Sequence, residues 1–214
     1  MPDHYFSKIP VTPLKIYKIR TVLRGMYFEF LTAPGVFSYK KVDKGTRILI
    51  ESMILPEEGY LLDLGCGYGI IGIVAAKINP KLKVFMTDIN ERAVWLAKKN
   101  AELNQVKNIK VLQGNLYKPA INQKFDAIIT NPPIHAGLKT VFEIIEKSPN
   151  HLNQNGTLQI VAKTKLGAKR IAEKMSQTYK NVKEISKKSG YRVLLSRRIY
   201  KEYVFNQNSV TYFK

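Results

Sequence analysis

The sequence predicts an α/β fold, with a doubly wound, mostly parallel sheet and helices on both of its faces. From Tyr60 onward, short apolar runs alternate with segments of helical periodicity, as in parallel strands joined by crossover helices. A glycine-rich loop, Gly65–Gly69, follows the first of these strands, which is typical of Rossmann-like nucleotide-binding folds. The chain of 214 residues is long enough for one full-sized domain of this class.

The N-terminal segment predicts a β-hairpin. Leu14–Leu23 and Met26–Leu31 are rich in β-branched and aromatic residues, with Arg24-Gly25 between them. A helix should follow that begins near Asp43, a candidate N-cap, and ends before Pro56. We expect one domain made of a hairpin extension (1–34), a core (44–200) and a C-terminal tail (201–214).

The rest of the chain divides into alternating strands and helices. The predicted strands are Tyr60–Leu64, Leu82–Thr87, Ile109–Leu112, Phe125–Thr130 and Thr157–Ala162. The predicted helices are Ile70–Ile78, Glu91–Leu103, about Leu138–His151 and about Gly167–Tyr179. Val182–Ser186 and Tyr191–Ile199 should form a closing hairpin around a Lys187–Gly190 loop, which adds one antiparallel edge strand.

The composition indicates a soluble cytoplasmic protein. Hydrophobic residues make up 45% of the chain, enough for a packed core. No apolar run approaches the roughly 18 residues that a membrane span needs. The N-terminus lacks the pattern of a signal peptide, and the single cysteine cannot form an intrachain disulfide.

The charge of the chain indicates a polyanionic partner. The formal net charge is +19, and residues 163–201 carry 13 Lys and Arg against two Glu. A basic surface of this size favours nucleic acid, although a solvated, solubilising face is the alternative. We expect the closing hairpin to present the RNA-binding candidates together near one edge of the sheet; they are Lys187, Lys188, Arg192, Arg197 and Arg198.

Two acidic residues distinguish between possible cofactors of the glycine loop. Gly67, Gly69 and Gly72 also fit the G-x-G-x-x-G fingerprint of dinucleotide sites. Asp63, just before the glycines, would repel dinucleotide phosphates but suits an ammonium or a sulfonium. Asp88 can accept ribose hydroxyls. S-adenosylmethionine has all of these groups and no phosphate, so we predict a methyl-donor site.

The cofactor contacts are expected at the ends of four strands. Asn115 should contact the adenine, and a nucleophilic role for the loop cysteine is improbable because its thiolate would have to face the substrate. The cofactor-binding candidates at these strand ends are Asp63, Gly65, Cys66, Gly67, Tyr68, Gly69, Asp88, Ile89, Asn115, Leu116 and Asn131.

The tetrapeptide Asn131-Pro132-Pro133-Ile134 follows the apolar run that ends at Thr130. Proline fixes φ and has no N–H, so the turn should be stiff. The Asn131 amide oxygen and the Pro132 carbonyl are expected to be two unpartnered acceptors that face one point. Two such acceptors suit a conjugated –NH2 group, and the four residues are the catalytic candidates.

With these motifs, the chain resembles the class I S-adenosylmethionine-dependent methyltransferases. It is most similar to the small-subunit rRNA guanine-2-amino methyltransferases of the RsmC type and their single-domain archaeal relatives. The resemblance rests on five blocks: Gly35–Ser38, Lys41–Gly45, Asp63–Gly69, Asn131–Gly137 and Gly190–Leu194. It implies that Phe37 and Ser38 cover the cofactor, and that Asn131–Pro133 hold the target amine. Ile134 departs from the aromatic residue found there in many amino methyltransferases.

The resulting prediction is methyl transfer to an exocyclic amine of an RNA base, most consistent with guanine N2 of small-subunit rRNA. The transfer needs no metal and no strong base, and His135 is more readily a shaping residue than a base. The alternatives are a protein-glutamine or adenine-amino methyltransferase, and a non-catalytic RNA-binding module on the same fold. An NAD-dependent oxidoreductase is disfavoured by Asp63.

Overall fold

Nine strands and five helices make up the described part of the chain. The computed structural model describes residues 8, 10, 12–134 and 137–199. The strands are β1 (Tyr17–Leu23), β2 (Met26–Thr32), β3 (Gly59–Leu64), β4 (Leu82–Asp88), β5 (Ile109–Gln113), β6 (Phe125–Thr130), β7 (Leu152–Lys163), β8 (Lys183–Lys188) and β9 (Tyr191–Arg197). The helices are α1 (Lys44–Ser52), α2 (Ile70–Ile78), α3 (Glu91–Leu103), α4 (Leu138–Lys147) and α5 (Ala168–Tyr179).

Strands β3 to β9 form one sheet, and β1 and β2 form a separate antiparallel hairpin. The sheet order is β5-β4-β3-β6-β7-β9-β8. Strand β9 is antiparallel to both of its neighbours, and the remaining pairs are parallel. The predicted fold class is therefore confirmed. The edge strand itself is β8, so the antiparallel strand lies one position in from the edge.

The closing hairpin has a two-residue turn. Ser189 and Gly190 both have positive φ, 52° and 80°, as the two-residue hairpin turns that suit strand twist require. The predicted four-residue loop is therefore too long. Lys187 and Lys188 belong to β8, where they pair with Arg192 and Tyr191.

The helices cover the two faces of the sheet in separate layers. Helices α1, α2 and α3 pack on one face together with the hairpin, and α4 and α5 pack on the other. The buried strand β3 serves both layers, because Leu61 joins the first core cluster while Leu62 and Leu64 join the second. No helix within the described ranges is long and apolar enough to cross a membrane.

The end of α4 differs from its prediction. The helix ends at Lys147, and a 3-10 turn covers Ser148–His151. Pro149 lies in this turn and cannot donate the backbone hydrogen bond that a continuing helix would need. Strand β7 begins at Leu152, earlier than the predicted Thr157. Leu152 already pairs with Phe125 of β6, and a register shift separates this pair from the pairing that starts at Thr157.

Two buried asparagines of α3 hold the N-terminal hairpin against the core. The Asn100 side chain accepts from the backbone N–H of Leu31 at 2.6 Å and donates to the carbonyls of Leu31 and Tyr68 at 2.9 and 2.8 Å. The Asn104 side chain makes an equivalent pair of bonds with the backbone of Glu29. The hairpin is thus attached through its backbone, and Asn100 also connects it to the glycine loop at Tyr68.

Replacing Asn100 with Ala should destabilise the protein by about 2–4 kcal/mol. The change leaves buried backbone groups of Leu31 and Tyr68 without partners, and each such loss costs about 1–3 kcal/mol when relaxation is incomplete. Urea unfolding measures the effect, and Glu102→Ala on the exposed part of α3 is the control. An Asn100→Ala protein as stable as this control would contradict the anchoring role.

Candidate functional site

A cavity of about 310 Å³ opens at the carboxyl ends of β3, β4 and β6. Ligands of open α/β sheets bind at this end of the strands. Its wall contains the predicted cofactor and catalytic residues except Asp63 and Gly69. The predicted residues in the wall are Phe37, Ser38, Gly65, Cys66, Gly67, Tyr68, Asp88, Ile89, Asn115, Leu116, Asn131, Pro132, Pro133 and Ile134.

The glycine loop exposes bare backbone to this cavity. The N–H groups of Gly65 and Cys66 both donate to the Thr87 carbonyl, at 2.8 and 2.9 Å, which fixes the loop on β4. Gly65 and Gly67 have φ of 73° and 56°, a region that L side chains rarely occupy. A Cβ built at Gly65 would meet no atom within 4 Å, so the space next to the backbone is open for a ligand.

Asp88 is held at the end of β4 by backbone donors. Its Oδ2 accepts from the Gly67 N–H at 2.8 Å, and its Oδ1 accepts from the Asn90 N–H at 2.9 Å. Burial nevertheless raises the pKa of Asp88 above its usual range. Asn90 caps α3 and donates to the Gly35 carbonyl at 2.8 Å, which brings the Phe37 segment over the cavity. Asp88 is therefore a rigid acceptor suited to hydroxyl groups.

Asp63 lies beneath the glycine loop and not in the cavity wall. The side chain is fully buried, and its Oδ2 accepts from the Gly72 N–H at 2.8 Å. Its Oδ1 has no hydrogen-bond partner within the described residues. Burial outweighs the Gly72 hydrogen bond and raises the pKa of Asp63 to about 7. Direct contact with a ligand is thus not what the structure shows, and Asp63 can act on a cavity cation through its charge.

Cys66 is a buried thiol. Burial raises the pKa of Cys66 well above its ordinary value, and the nearby Asp63 and Asp88 carboxylates raise it further. A thiol in such surroundings does not ionise near neutral pH. The structure therefore agrees with the expectation that Cys66 is not a nucleophile.

The side-chain amide of Asn131 is oriented by two residues of helix α1. Its Nδ2 donates to Thr46 Oγ1 at 2.8 Å and to Asp43 Oδ2 at 3.2 Å. The same Asp43 oxygen caps α1 by accepting from the Thr46 N–H at 2.8 Å. Among the described residues, none donates to Asn131 Oδ1. The amide is thus fixed with its nitrogen bonded to α1, and its oxygen remains able to accept from a ligand.

The Pro132 carbonyl is not unpartnered, and that part of the prediction is wrong. It accepts from the Ile134 N–H at 2.8 Å, so the two prolines lead into a tight turn. A carbonyl has two lone pairs, so Pro132 can still accept a second hydrogen bond. The turn is also fixed from β3, since Thr130 Oγ1 donates to the Leu64 carbonyl at 2.7 Å. His135 and the tail from 201 lie outside the described residues.

Several residues of the wall were not among the predicted site residues. They include Val36, Asp43, Thr46, Thr140, Lys163, Leu166 and Tyr191. Tyr191 packs on Gly45, where an added Cβ would lie 2.7 Å from its ring. Burial raises the pKa of the Tyr191 hydroxyl, and the nearby Asp43 carboxylate raises it further. Asp43 and Tyr191 stand within sequence blocks that carry the family resemblance, which was the available signal.

The five basic residues proposed for RNA do not form one patch. Lys187 and Lys188 are exposed at the cavity edge, since β9 begins there opposite Lys163. Arg197 and Arg198 lie at the other end of β9, and donate to the carbonyls of Asn155 and Leu152, respectively. Arg192 pairs with Glu184 at 2.8 Å. The prediction of a common location is wrong because the basic residues lie at the two opposite ends of β9.

Comparison with known proteins identifies the family. The sequence profile described as "Methyltransferase small domain" matches residues 27–195. The chain belongs to this methyltransferase family. Family membership confirms the predicted recognition as a class I S-adenosylmethionine-dependent methyltransferase and, with it, the predicted cofactor.

Named relatives of this methyltransferase include rRNA-modifying enzymes. It is 41% identical to Uncharacterized protein YbxB of Bacillus subtilis (strain 168), over 93% of this chain and 100% of the relative. It is 35% identical to Ribosomal RNA small subunit methyltransferase C of Pseudoalteromonas atlantica, over 88% of this chain and 56% of the relative. The Aeromonas hydrophila protein of the same name is 41% identical, over 78% and 48%. The chain thus spans about half the length of these two rRNA methyltransferases.

A solved structure shares the fold of this methyltransferase. It is the T. thermophilus 16S rRNA N2 G1207 methyltransferase (RsmC) in complex with AdoMet and guanosine. The TM-score is 0.77 at 24% identity, and the match covers 88% of this chain and 52% of that chain. The fold therefore agrees with the family assignment.

Proposed function

We propose that this methyltransferase transfers a methyl group to the exocyclic N2 amine of a guanine in small-subunit ribosomal RNA. The single observation that carries the proposal is the fixed orientation of Asn131. With its Nδ2 bonded to Thr46 and Asp43, only its oxygen is available to the cavity. An oriented carbonyl oxygen at the cavity wall can accept a hydrogen bond from an –NH2 group. It does not suit an alkoxide or a carboxylate, because neither has a proton to donate.

The cavity residues fit S-adenosylmethionine. Asp88 offers a rigid carboxylate for the ribose hydroxyls, and Gly65 and Gly67 leave space beside bare backbone. The unpartnered Oδ1 of buried Asp63 favours a positive charge nearby. Asn115 and Leu116, which follow β5, line the cavity, and Asn115 would contact the adenine. When bound, S-adenosylmethionine supplies an electrophilic methyl group.

The residues of the Asn-Pro-Pro turn would prepare the amine for attack. A hydrogen bond from the –NH2 group to Asn131 Oδ1, and a second to the remaining lone pair of Pro132, would favour a pyramidal nitrogen. This geometry withdraws the nitrogen lone pair from conjugation with the base. The same fixed dipoles stabilise the positive charge that develops on nitrogen. The methylated nitrogen can then lose its proton to water.

The choice of rRNA guanine rests on the relatives and on charge. Two relatives at 35% and 41% identity are named for ribosomal RNA small subunit methylation. The net charge of +19 fits a polyanionic substrate. Ile134 and Leu166 add apolar surface to the wall, against which a base can pack. The cytoplasmic location and independence of metal stay predictions.

Nucleoside analysis tests the proposal. The protein is incubated with S-adenosylmethionine carrying a labelled methyl group and with small ribosomal subunits that lack this modification. The RNA is then digested to nucleosides and separated. The expected product is labelled N2-methylguanosine. Label in N6-methyladenosine, or in protein alone, would contradict the assigned substrate.

A further inference from the structure

A second, polar cleft lies beside the N-terminal hairpin. Its volume is about 350 Å³, and it is bounded by residues 18–21 of β1, by residues 40–42 and by Arg47 of α1. Within the described part of the chain, β1 pairs only with β2, so its other edge borders this cleft. The cleft is distinct from the cofactor cavity, since no residue lines both.

The lining of the cleft is strongly basic. Its cationic residues are Lys18, Arg20, Lys40, Lys41 and Arg47. One carboxylate, Glu29 of β2, pairs with Lys18 at 3.4 Å and with Arg20 at 2.7 Å. These two cations remain 45% and 67% exposed, and such exposed pairs contribute only about 0–1 kcal/mol. They can therefore turn to an incoming phosphate at little cost.

One cation of the cleft is already held in place. The Arg47 guanidinium donates to the Val22 carbonyl at 2.9 Å and to Thr21 Oγ1 at 2.6 Å. Both acceptors are on β1, so the guanidinium connects α1 to the hairpin while its charge stays at the cleft. A preorganised guanidinium loses little side-chain entropy when it binds a phosphate. The exposed Lys40 and Lys41 add two further ammonium groups to the lining of the cleft.

The cleft and the cofactor cavity are adjacent, because residues 37–41 and helix α1 contribute different residues to each. Phe37 and Ser38 line the cavity, and two residues later Lys40 and Lys41 line the cleft. Along α1, Thr46 holds Asn131 at the cavity, while the adjacent Arg47 faces the cleft. Successive helix residues point about 100° apart, so α1 presents one residue to each site. A polymer in the cleft would thus lie next to the methyl-transfer site.

We propose that this cleft binds the phosphate backbone of the RNA strand that flanks the target base. The inference rests on the proposed function and deepens it, because it assigns a second contact surface to the same substrate. The phosphodiester backbone supplies repeated anions that match the five cations, and such contacts position the RNA without reading its sequence. The hairpin would therefore be part of the RNA-binding surface as well as part of the fold.

The test compares RNA binding of two doubly neutralised proteins. In the first, Lys40→Gln and Lys41→Gln remove two cations of the cleft. In the second, the matched control, Lys81→Gln and Lys107→Gln remove two exposed cations that line neither the cleft nor the cofactor cavity and lie just before β4 and β5, at the amino ends of these strands. The probe is a single-stranded 20-mer RNA of mixed sequence, and its affinity is measured by fluorescence anisotropy over a range of salt concentrations.

Log affinity falls with log salt, and in the cleft variant this fall should be less steep by about 1.4. The reason is that each single-strand phosphate contact contributes about 0.7 to the steepness. That change corresponds to about 25-fold weaker binding at 0.1 M salt. The control should keep the wild-type slope. A cleft variant with the wild-type slope, or a control with an equal loss, would overturn the inference.

The outcome is separable from that of the proposed function. If the wild type forms N2-methylguanosine and the cleft variant keeps the wild-type salt slope, only the RNA-binding role of the cleft is refuted. If the wild type methylates no RNA base, the proposed function fails by itself. A reduced slope confined to the cleft variant would still support RNA binding there.

Discussion

Replacement of Asn131 with Ala should lower kcat for rRNA methylation by about 100-fold to 1000-fold, a far larger effect than on S-adenosylmethionine affinity. Loss of one preorganised hydrogen-bonding group that acts on the reacting centre has an effect of this size in other enzymes. The Asn131 oxygen acts on the amine in the transition state, so kcat should fall rather than cofactor affinity. Single-turnover kinetics and calorimetry measure the two quantities separately.

Thr46→Val extends this test to the residue that orients the amide. The variant removes the 2.8 Å acceptor of Asn131 Nδ2 but leaves Asp43 as a second acceptor. We expect an intermediate loss of about tenfold in kcat, which corresponds to about 1.4 kcal/mol. Asn150→Ala, an exposed asparagine just before β7 and at the end of the sheet away from the cavity, is the control and should behave as wild type. Near-normal turnover in Asn131→Ala would mean that the Asn-Pro-Pro turn has no catalytic role.

Replacement of Asp63 with Asn should weaken S-adenosylmethionine binding by more than tenfold. The substitution keeps an acceptor for the Gly72 N–H but removes the buried charge beneath the loop. A charge pair at 4 Å is worth about 4 kcal/mol at an effective dielectric constant of about 20. A tenfold loss, about 1.4 kcal/mol, is only part of that. Calorimetry measures it, and Asp126→Asn removes a carboxylate at the amino end of β6, away from the cavity, as the control.

The pH dependence of this variant follows from the raised pKa of Asp63. Below about pH 7 the wild-type carboxyl gains a proton and loses its attraction for a cation. Wild-type affinity should therefore fall between pH 8 and pH 6 relative to that of Asp63→Asn. Binding that is equally strong in both proteins at pH 8 would contradict the electrostatic role of Asp63.

The same pKa has the opposite consequence for stability without cofactor. A raised folded-state pKa means that the folded chain holds the proton more tightly than the unfolded chain does. The contribution of Asp63 to stability is then complete below its unfolded pKa, near 4, and is lost as the pH rises to about 7. At pH 8, Asp63→Asn without cofactor should thus be more stable than wild type. A less stable variant would show that the carboxylate is satisfied in the folded protein.

Local patterns were enough to predict most of the fold. The alternation of apolar strands with amphipathic helices determines the order of the elements, and α2 and α3 have the bounds that periodicity predicted. The Asp43 cap was also predicted and is confirmed. What local patterns do not contain is the position of a strand within the sheet. The place of β9 between β7 and β8 depends on a crossover through α5, which involves residues distant in sequence.

The part of the site that could be predicted consists of residues that directly follow or end a strand. Asp88 and Asn131 stand directly at the ends of β4 and β6, so the topology brings them together. The contact of Thr46 with Asn131 joins residues 85 positions apart, and no periodicity indicates it. The burial of Asp63 could not be predicted from the sequence either. The residue stands before the glycines as expected, but its side chain is enclosed beneath them. The basic cleft likewise depends on the packing of the hairpin against α1.

The orientation of Asn131 toward the target amine is tested most directly by a structure of the protein with guanosine and S-adenosylhomocysteine. The account predicts that the N2 amine lies about 2.7–3.2 Å from Asn131 Oδ1, with Nδ2 still bonded to Thr46. A guanine whose N2 points away from Asn131, or an amide turned so that Nδ2 faces the base, would contradict it.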